Sequence, residues 1–360
     1  MSEKKITVGI LGATGMVGQR FITLLAEHPW FNVVAVAASS RSAGQTYAEA
    51  VHGRWNYDAP VPAHVGTLKV LDAVKDADTI CEQVNFVFSA MSLDKAQVRN
   101  LEAEYASKNT PVVSNNSAHR RTEDVPLFIP EINHHHTELI DIQRKNRSWE
   151  KGFITAKPNC SIQSYVPVIE ALNEFEPTRV AVSTFQAISG AGKTFDTYPE
   201  ISDNIIPYIG GEEQKSEDEP LKIWGEISDG ELKLADSPVI SATCVRVPVS
   251  DGHLVTVNME LAKQATKEDL IDAINSYENP IADLDLPSAP SPFLKYFEED
   301  DRPQTKLDRD FGNGMGITVG RLREDPVLGW KFVALSHNTI RGAAGGAVLT
   351  AEMLVKKGYL

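Results

Sequence analysis

The chain has 360 residues, 42% of them hydrophobic and 23% charged, the composition of a globular protein long enough for about two domains. A formal net charge of −14 argues against nucleic acid or an anionic membrane as the main partner, while leaving room for a local cationic pocket that takes a small anion. The three cysteines, Cys81, Cys160 and Cys244, make an odd and widely spaced set, a poor disulfide framework. Met1 opens no signal-like apolar run, and no stretch reaches the ~18 apolar residues of a membrane span, so the chain reads as cytoplasmic.

Taken in chain order, residues 6–11 read as a buried strand that runs into Gly12-Ala13-Thr14-Gly15-Met16-Val17-Gly18. Residues 19–27 read as a helix, with Phe21, Leu24 and Leu25 at helical spacing and Pro29 closing it, and 31–37 as a second strand. This is the β–α–β opening of a dinucleotide-binding fold. Glycines there allow a tight turn and let main-chain N–H groups approach a pyrophosphate. The second strand leads to Ser39-Ser40-Arg41-Ser42, a guanidinium among hydroxyls with no carboxylate. That pattern suits a 2′-phosphate and favours NADP over NAD. Further short strands are expected at 85–88 and 111–114, in a parallel sheet. His134-His135-His136 reads as a solvated helix start rather than a metal site, because adjacent helical histidines point in different directions; no metal is expected.

Near residue 150 the pattern changes to longer, more β-branched strands at 179–185, 244–249 and 254–261, which imply a partly antiparallel sheet. Residues 210–219 are polar and acidic and read as a loop, 285–302 as a charged, proline-bearing stretch, and 342–357 as a helix. Cys160 follows the turn residues Pro158 and Asn159 and precedes what reads as a long helical stretch. A thiol at a helix N-terminus is favoured as thiolate, a good nucleophile toward carbonyl carbon. Cys81 and Cys244 read as small hydrophobes.

Four further segments are unusual as filler: Gln186 to Lys193, Glu212-Glu213-Gln214-Lys215, Arg246-Val247-Pro248-Val249 leading to Gly252-His253, and Asn338-Thr339-Ile340-Arg341-Gly342. Together with the glycine loop, Ser40-Arg41-Ser42, Ser117-Ala118-His119-Arg120, Pro130-Glu131-Ile132-Asn133 and Asn159-Cys160-Ser161, they occur in an order that resembles the aspartate-β-semialdehyde dehydrogenases, in the branch found in archaea and fungi. The resemblance covers nearly the whole chain. It implies an α/β protein with an N-terminal Rossmann-type NADP-binding domain, residues 1–155 with 338–360. A second α+β catalytic and dimerisation domain, built on a mixed sheet, takes residues 156–337.

The resemblance also implies roles. Cys160 is the nucleophile and His253 the general acid–base. Gln186 orients the acyl group, and Asn159 with the Cys160 N–H stabilises the oxyanion. Arg246 holds the substrate carboxylate, Glu212 its ammonium, and Arg120 and Lys215 the phosphate. The adjacent Arg121 and Glu213 are alternatives for Arg120 and Glu212; the motif favours Arg120, and the Glu-x-x-Lys spacing favours Glu212. NADP is held by Gly12, Ala13, Thr14, Gly15, Met16, Val17, Ser39, Arg41, Ser42 and Ser89, with Ser189, Gly190, Gly192 and Asn338 on its nicotinamide side. The implied partners are aspartyl phosphate, aspartate semialdehyde and inorganic phosphate, in a homodimer or homotetramer. A malonyl-CoA reductase or an N-acetylglutamyl-phosphate reductase has no substrate ammonium for Glu212 to hold. A non-catalytic NADP sensor has no use for Cys160, Gln186 and His253 together.

Overall fold

The computed structural model describes residues 5–360. Six parallel strands form the first sheet: β1 (Ile6–Leu11), β2 (Phe31–Ala38), β3 (Val70–Asp72), β4 (Phe86–Ser89), β5 (Val112–Ser114) and β6 (Ile154–Ala156), in the spatial order β3-β2-β1-β4-β5-β6. They are nearly continuous apolar runs, as strands covered on both faces must be. The direction of winding reverses between β1 and β4, so a crevice opens at their carboxyl ends, where doubly wound sheets take ligands. Helix α1 (Met16–Leu25) buries Phe21, Ile22 and Leu25, and Phe21 stacks on Phe88 with ring centroids 4.6 Å apart.

The second sheet is mixed, in the order β10-β7-β11-β14-β13-β12. Its strands are β7 (Pro177–Gln186), β10 (Val239–Arg246), β11 (His253–Leu261), β12 (Leu294–Phe297), β13 (Ile317–Asp325) and β14 (Gly329–Ser336); a separate hairpin is formed by β8 (Glu226–Ser228) and β9 (Glu231–Lys233). β10 runs parallel to β7, which sets Arg246 opposite Gln186, while β11 is antiparallel to both β7 and β14. Buried and half-exposed residues alternate along β11, the pattern of a sheet with one face on a core.

Several sequence expectations are corrected. Residues 210–219 are not a loop: Glu212–Ile223 is a twelve-residue helix. Its inward face carries Glu212, Ser216, Glu219 and Ile223 at helical spacing. That face is mostly polar, so no apolar periodicity announces it, and the paired acids at its start suit a helix N-terminus. The strand expected at 244–249 lies earlier, because Pro248 cannot donate to a ladder. The stretch 285–302 contains β12. The last helix begins at Gly345; Ile340–Ala344 forms a π-turn in which Ala343 leaves helical geometry. The histidine triplet is a 3-10 turn that is only partly solvated. His136 is fully buried, with Nε2 2.9 Å from the Gly225 carbonyl, and burial pushes its pKa down to about 4.

The final helix returns to the first sheet: Ala347, Val348 and Leu349 share a core with Val8, Phe88 and Val113. The chain thus crosses from sheet one to sheet two after β6, and crosses back after β14.

Candidate active site

The glycine loop leaves β1 at Gly12, where φ is +84°. A Cβ there would stand 2.3 Å from the Ala90 carbonyl oxygen, and one on Gly18 would stand 2.2 Å from the Gly12 carbonyl oxygen. Both positions therefore need glycine for the turn and for close helix–strand packing. Gly15 has no such constraint. It is exposed, and it starts α1 with no side-chain cap and no acid in the first turn. The first-turn N–H groups around Met16 and Val17 are thus left for an anion, and the open Gly15 position lets it approach closely; the loop fits a dinucleotide pyrophosphate. Ala13 is buried and Thr14 half-buried; their carbonyls accept from the Tyr47 hydroxyl (2.9 Å) and the Gln19 amide (3.0 Å), which brace the loop.

Ser39, Arg41 and Ser42 lie in the turn after β2. Arg41 is exposed, and the Ser42 hydroxyl accepts from Arg54 Nη2 at 3.2 Å. Arg54 is a second guanidinium at this turn that the sequence reading missed, since nothing in its local run marks it. Ser89 is fully buried at the end of β4, and its hydroxyl accepts from Asn116 Nδ2 at 3.0 Å. Across the crevice, Ser189 and Gly190 sit in the 3-10 turn Ile188–Ala191, and Gly192 ends it with φ +68°. Asn338 ties this turn to the histidine strand: its Nδ2 donates to the Ser189 hydroxyl (2.9 Å), and its Oδ1 accepts from the Gly252 N–H (2.8 Å). A 450 Å³ cleft runs between Met16 and Arg20 on one wall and Ser189 and Lys193 on the other.

At the inner end of this seam the chemistry-bearing side chains converge. Cys160 comes four residues after β6, His253 opens β11, Gln186 ends β7 and Arg246 ends β10. Cys160 Sγ lies 3.3 Å from His253 Nε2, and the Ala187 N–H donates to His253 Nδ1 at 3.1 Å. That main-chain bond assigns the neutral tautomer, with the ring hydrogen on Nε2 and directed at sulfur. Burial, then the nearby Arg246, pushes the His253 pKa down to about 3, in keeping with a neutral ring. Gly190 crowds this pair: a Cβ there would lie 3.1 Å from both His253 Nε2 and Arg246 Nη1.

The expected long helix behind Cys160 is also corrected. Only the 3-10 turn Ser161–Ser164 follows, then a break at Tyr165 and the short helix Val166–Ala171. So little aligned backbone gives a weak dipole. Burial, followed by the Glu212 charge, raises the thiol to about 11, against the lowering pull of Lys157, Arg120 and Arg246.

The flanking residues form one buried network. Glu212 accepts from Asn159 Nδ2 (2.9 Å), Gln186 Nε2 (3.4 Å) and Lys215 Nζ. Burial pushes the Glu212 carboxyl up, but Lys215 and Asn159 outweigh it and the net shift is downward. Asn159 Oδ1 accepts from both the N–H and the hydroxyl of Ser161. The amide expected to meet an oxyanion is thus partly committed to shaping the turn. Arg246 donates to the Ala187 carbonyl at 2.5 Å. Arg120 is buried and paired with Glu219 (3.1 Å), whereas Arg121 points to solvent and pairs with Asp218, which favours Arg120 as the inward member of the two. Glu213 instead accepts from the Cys244 N–H, leaving Glu212 to face the site. Among the described residues no cluster of His, Cys, Asp and Glu side chains is arranged to hold a metal ion.

Glu219, Lys222 and Lys157 escaped the sequence reading. Taking 212–223 as a helix would have found the first two, one and two turns beyond Lys215. Lys157 is buried with Nζ donating only to the Pro158 carbonyl (3.3 Å), and burial drives its pKa well down.

A doubly wound nucleotide-type sheet joined to a mixed sheet, with a cysteine and a histidine meeting at their seam, is the architecture of a two-domain dehydrogenase class. Known proteins agree. The family description "Semialdehyde dehydrogenase, NAD binding domain" matches residues 7–140, and "Semialdehyde dehydrogenase, dimerisation domain" matches 167–341. The aspartate-semialdehyde dehydrogenase of Archaeoglobus fulgidus is 44% identical over 98% of this chain and 99% of its own, and that of Aspergillus fumigatus is 40% identical over 100% and 99%. The crystal structure of the Candida albicans aspartate-semialdehyde dehydrogenase with NADP superposes with a TM-score of 0.87 at 38% identity, covering 99% of this chain and 100% of that one. The chain belongs to the aspartate-semialdehyde dehydrogenase family.

Proposed function

We propose that this protein is an NADP-dependent aspartate-semialdehyde dehydrogenase, which reductively dephosphorylates L-4-aspartyl phosphate to L-aspartate 4-semialdehyde in the biosynthesis of lysine, threonine, methionine and isoleucine. The observation that carries this reading is the 3.3 Å approach of Cys160 Sγ to His253 Nε2, within a pocket that also holds Arg246 and Glu212. Cys160 attacks the acyl carbon; a C–S bond forms as the S–H bond breaks, the bond to the phosphate oxygen breaks, and phosphate leaves with that electron pair and takes up the thiol proton. The product on the protein is a thioester. The Gly12–Val17 loop, Ser39, Arg41 and Ser42, with Ser189, Gly190, Gly192 and Asn338 on the nicotinamide side, would hold NADPH, which when bound would supply the hydride that reduces the thioester carbon. His253 Nε2–H stands beside the sulfur, where it donates a hydrogen bond first to the developing oxyanion and then to the leaving thiolate, which regains its proton from solvent. Collapse breaks the C–S bond and frees the aldehyde.

Arg246 offers a bidentate grip for the substrate carboxylate, Glu212 a carboxylate for its ammonium, and Arg120 and Lys215 positive charge for phosphate. This local concentration of cations explains how a chain of net charge −14 takes an anionic substrate. The division of labour follows the two sheets: residues 1–155 with 338–360 for the cofactor, and 156–337 for catalysis and assembly into a homodimer or homotetramer. Three free cysteines and no helix long and apolar enough to cross a membrane support a cytoplasmic enzyme.

The test is NADP reduction with aspartate semialdehyde and inorganic phosphate, run beside malonate semialdehyde with CoA. Phosphate-dependent turnover of the first pair alone is expected. Preference for the second pair overturns the reading in favour of a malonyl-CoA reductase.

A further inference from the structure

The Glu212–Ile223 helix carries one buried carboxylate that the reaction outlined above leaves unused. Glu219 is buried, 4% exposed, and its two oxygens hold two different parts of the site. Oε1 accepts from Arg120 Nη1 at 3.1 Å, and Oε2 accepts from the main-chain N–H of Asn159 at 2.5 Å. Arg120 stands on the segment after β5 and Asn159 on the segment after β6, directly before the nucleophile, so a single side chain from another element joins the anion-binding arm to the Cys160 loop. One turn further on, Lys222 Nζ donates to the carbonyls of Arg120 (2.9 Å) and Thr122 (2.6 Å), fixing the same arm by its backbone.

The Arg120 guanidinium is held through its two terminal nitrogens. Beyond Glu219 it makes a long 3.5 Å contact to the Asn115 carbonyl, while its Nε–H is buried and has no partner. An unpartnered buried donor on a guanidinium otherwise fixed in place marks the edge offered to an anion.

We propose that Glu219 is the positioning residue that couples phosphate binding to the nucleophile: it holds Arg120 with its Nε edge facing the phosphate and holds the Asn159 peptide that sets Cys160. This rests on the assignment of Arg120 to phosphate made above. The carboxylate also offsets the Arg120 charge, so bound phosphate meets a partly neutralised cation and can leave after each turnover. Removing the negative charge makes phosphate bind more tightly, and removing the acceptor for Asn159 N–H disorders the attack geometry.

Glu219→Gln is therefore expected to lower kcat at least tenfold, to lower the half-saturating phosphate concentration at least threefold, and to leave the KM for the aldehyde within twofold. A purely structural residue would raise both constants together. Because an unpaired buried Arg120 threatens folding, Glu219→Asp is the companion variant. It keeps the charge but is too short to reach both partners, so kcat falls at least threefold while phosphate half-saturation stays within twofold. A readout independent of turnover is protection of Cys160 from iodoacetamide by inorganic phosphate, measured without aldehyde or NADP. The half-protecting concentration in Glu219→Gln falls at least threefold below that of the unaltered protein. If the unaltered protein lacks phosphate-dependent turnover, the functional reading fails, and the protection assay still decides the role of Glu219. Unchanged kcat in either variant, joint movement of the phosphate and aldehyde constants, or an unchanged protection curve overturns the proposal.

Discussion

The contact between Cys160 and His253 joins two neutral groups. A thiol raised to about 11 and an imidazole lowered to about 3 do not form the thiolate–imidazolium pair found in many cysteine enzymes, and the Ala187 N–H on Nδ1 stands against a second ring proton. The working acid thiol requires its proton to be drawn off as substrate and cofactor fill the pocket. In the free protein, alkylation of Cys160 by iodoacetamide should therefore climb about tenfold per pH unit from pH 7 to 9.5, following the thiolate fraction. A plateau below pH 8 would show an ion pair already formed. Cys160→Ser should abolish turnover while NADP binding, followed by cofactor fluorescence, persists; substantial residual turnover removes sulfur from the mechanism. Arg246→Lys keeps the charge but loses the planar fork that also reaches the Ala187 carbonyl, so the KM for the aldehyde should rise about tenfold or more with a smaller change in kcat. An unchanged KM would take the substrate carboxylate away from Arg246.

At the scale of elements, the π-turn Ile340–Ala344 supports the nucleophile from behind. Gly342 is in contact range of Cys160: an added Cβ would stand 2.8 Å from the Cys160 Cβ and 3.2 Å from its Cα. Gly342→Ala must push the nucleophile or unwind the turn, at a cost of roughly 1–3 kcal/mol for overpacking. Steady-state kinetics should show a lower kcat with NADP binding intact, and wild-type kcat would mean that the turn yields freely. The same scale shows where sequence reading worked and where it stopped. The β1–loop–α1 unit was legible because Gly12 and Gly18 are demanded by backbone contacts and the apolar runs beside them are regular. The Glu212–Ile223 helix was not, because its buried face exists to touch Asn159, Arg120 and Ser161 rather than a hydrophobic core. Cys160 itself stood out as a residue, but the helix credited with activating it stops after one 3-10 turn.

Over the whole molecule, the parallel character of the first sheet was readable from the alternation of strands with helices, and the partly antiparallel character of the second from its longer β-branched runs; the strand order and the joint between the sheets were not, since they depend on residues far apart in sequence. Arg341 is that joint. It is 1% exposed, it pairs bidentately with Glu131, which is fully buried, its Nε donates to Gln163 at 3.2 Å, and its guanidinium lies 4.7 Å over the ring of Phe293. Glu131 precedes β6 of the first sheet, Gln163 follows the nucleophile by three residues, and Phe293 precedes β12 at the edge of the second sheet. One guanidinium thus links both sheets to the turn that carries Cys160. Buried ion pairs add little over a well-packed apolar replacement, yet losing one partner strands the other in a dry interior at about 3–5 kcal/mol. Arg341→Met should accordingly lower the urea midpoint by that amount of stability, and the double change Arg341→Met with Glu131→Leu should recover most of it, because no charge is then stranded. Turnover should fall in both proteins, since neither restores the link to Gln163 and the Cys160 turn. A double variant as unstable as the single one would show that the pair itself, rather than the avoidance of a stranded charge, holds the two sheets together.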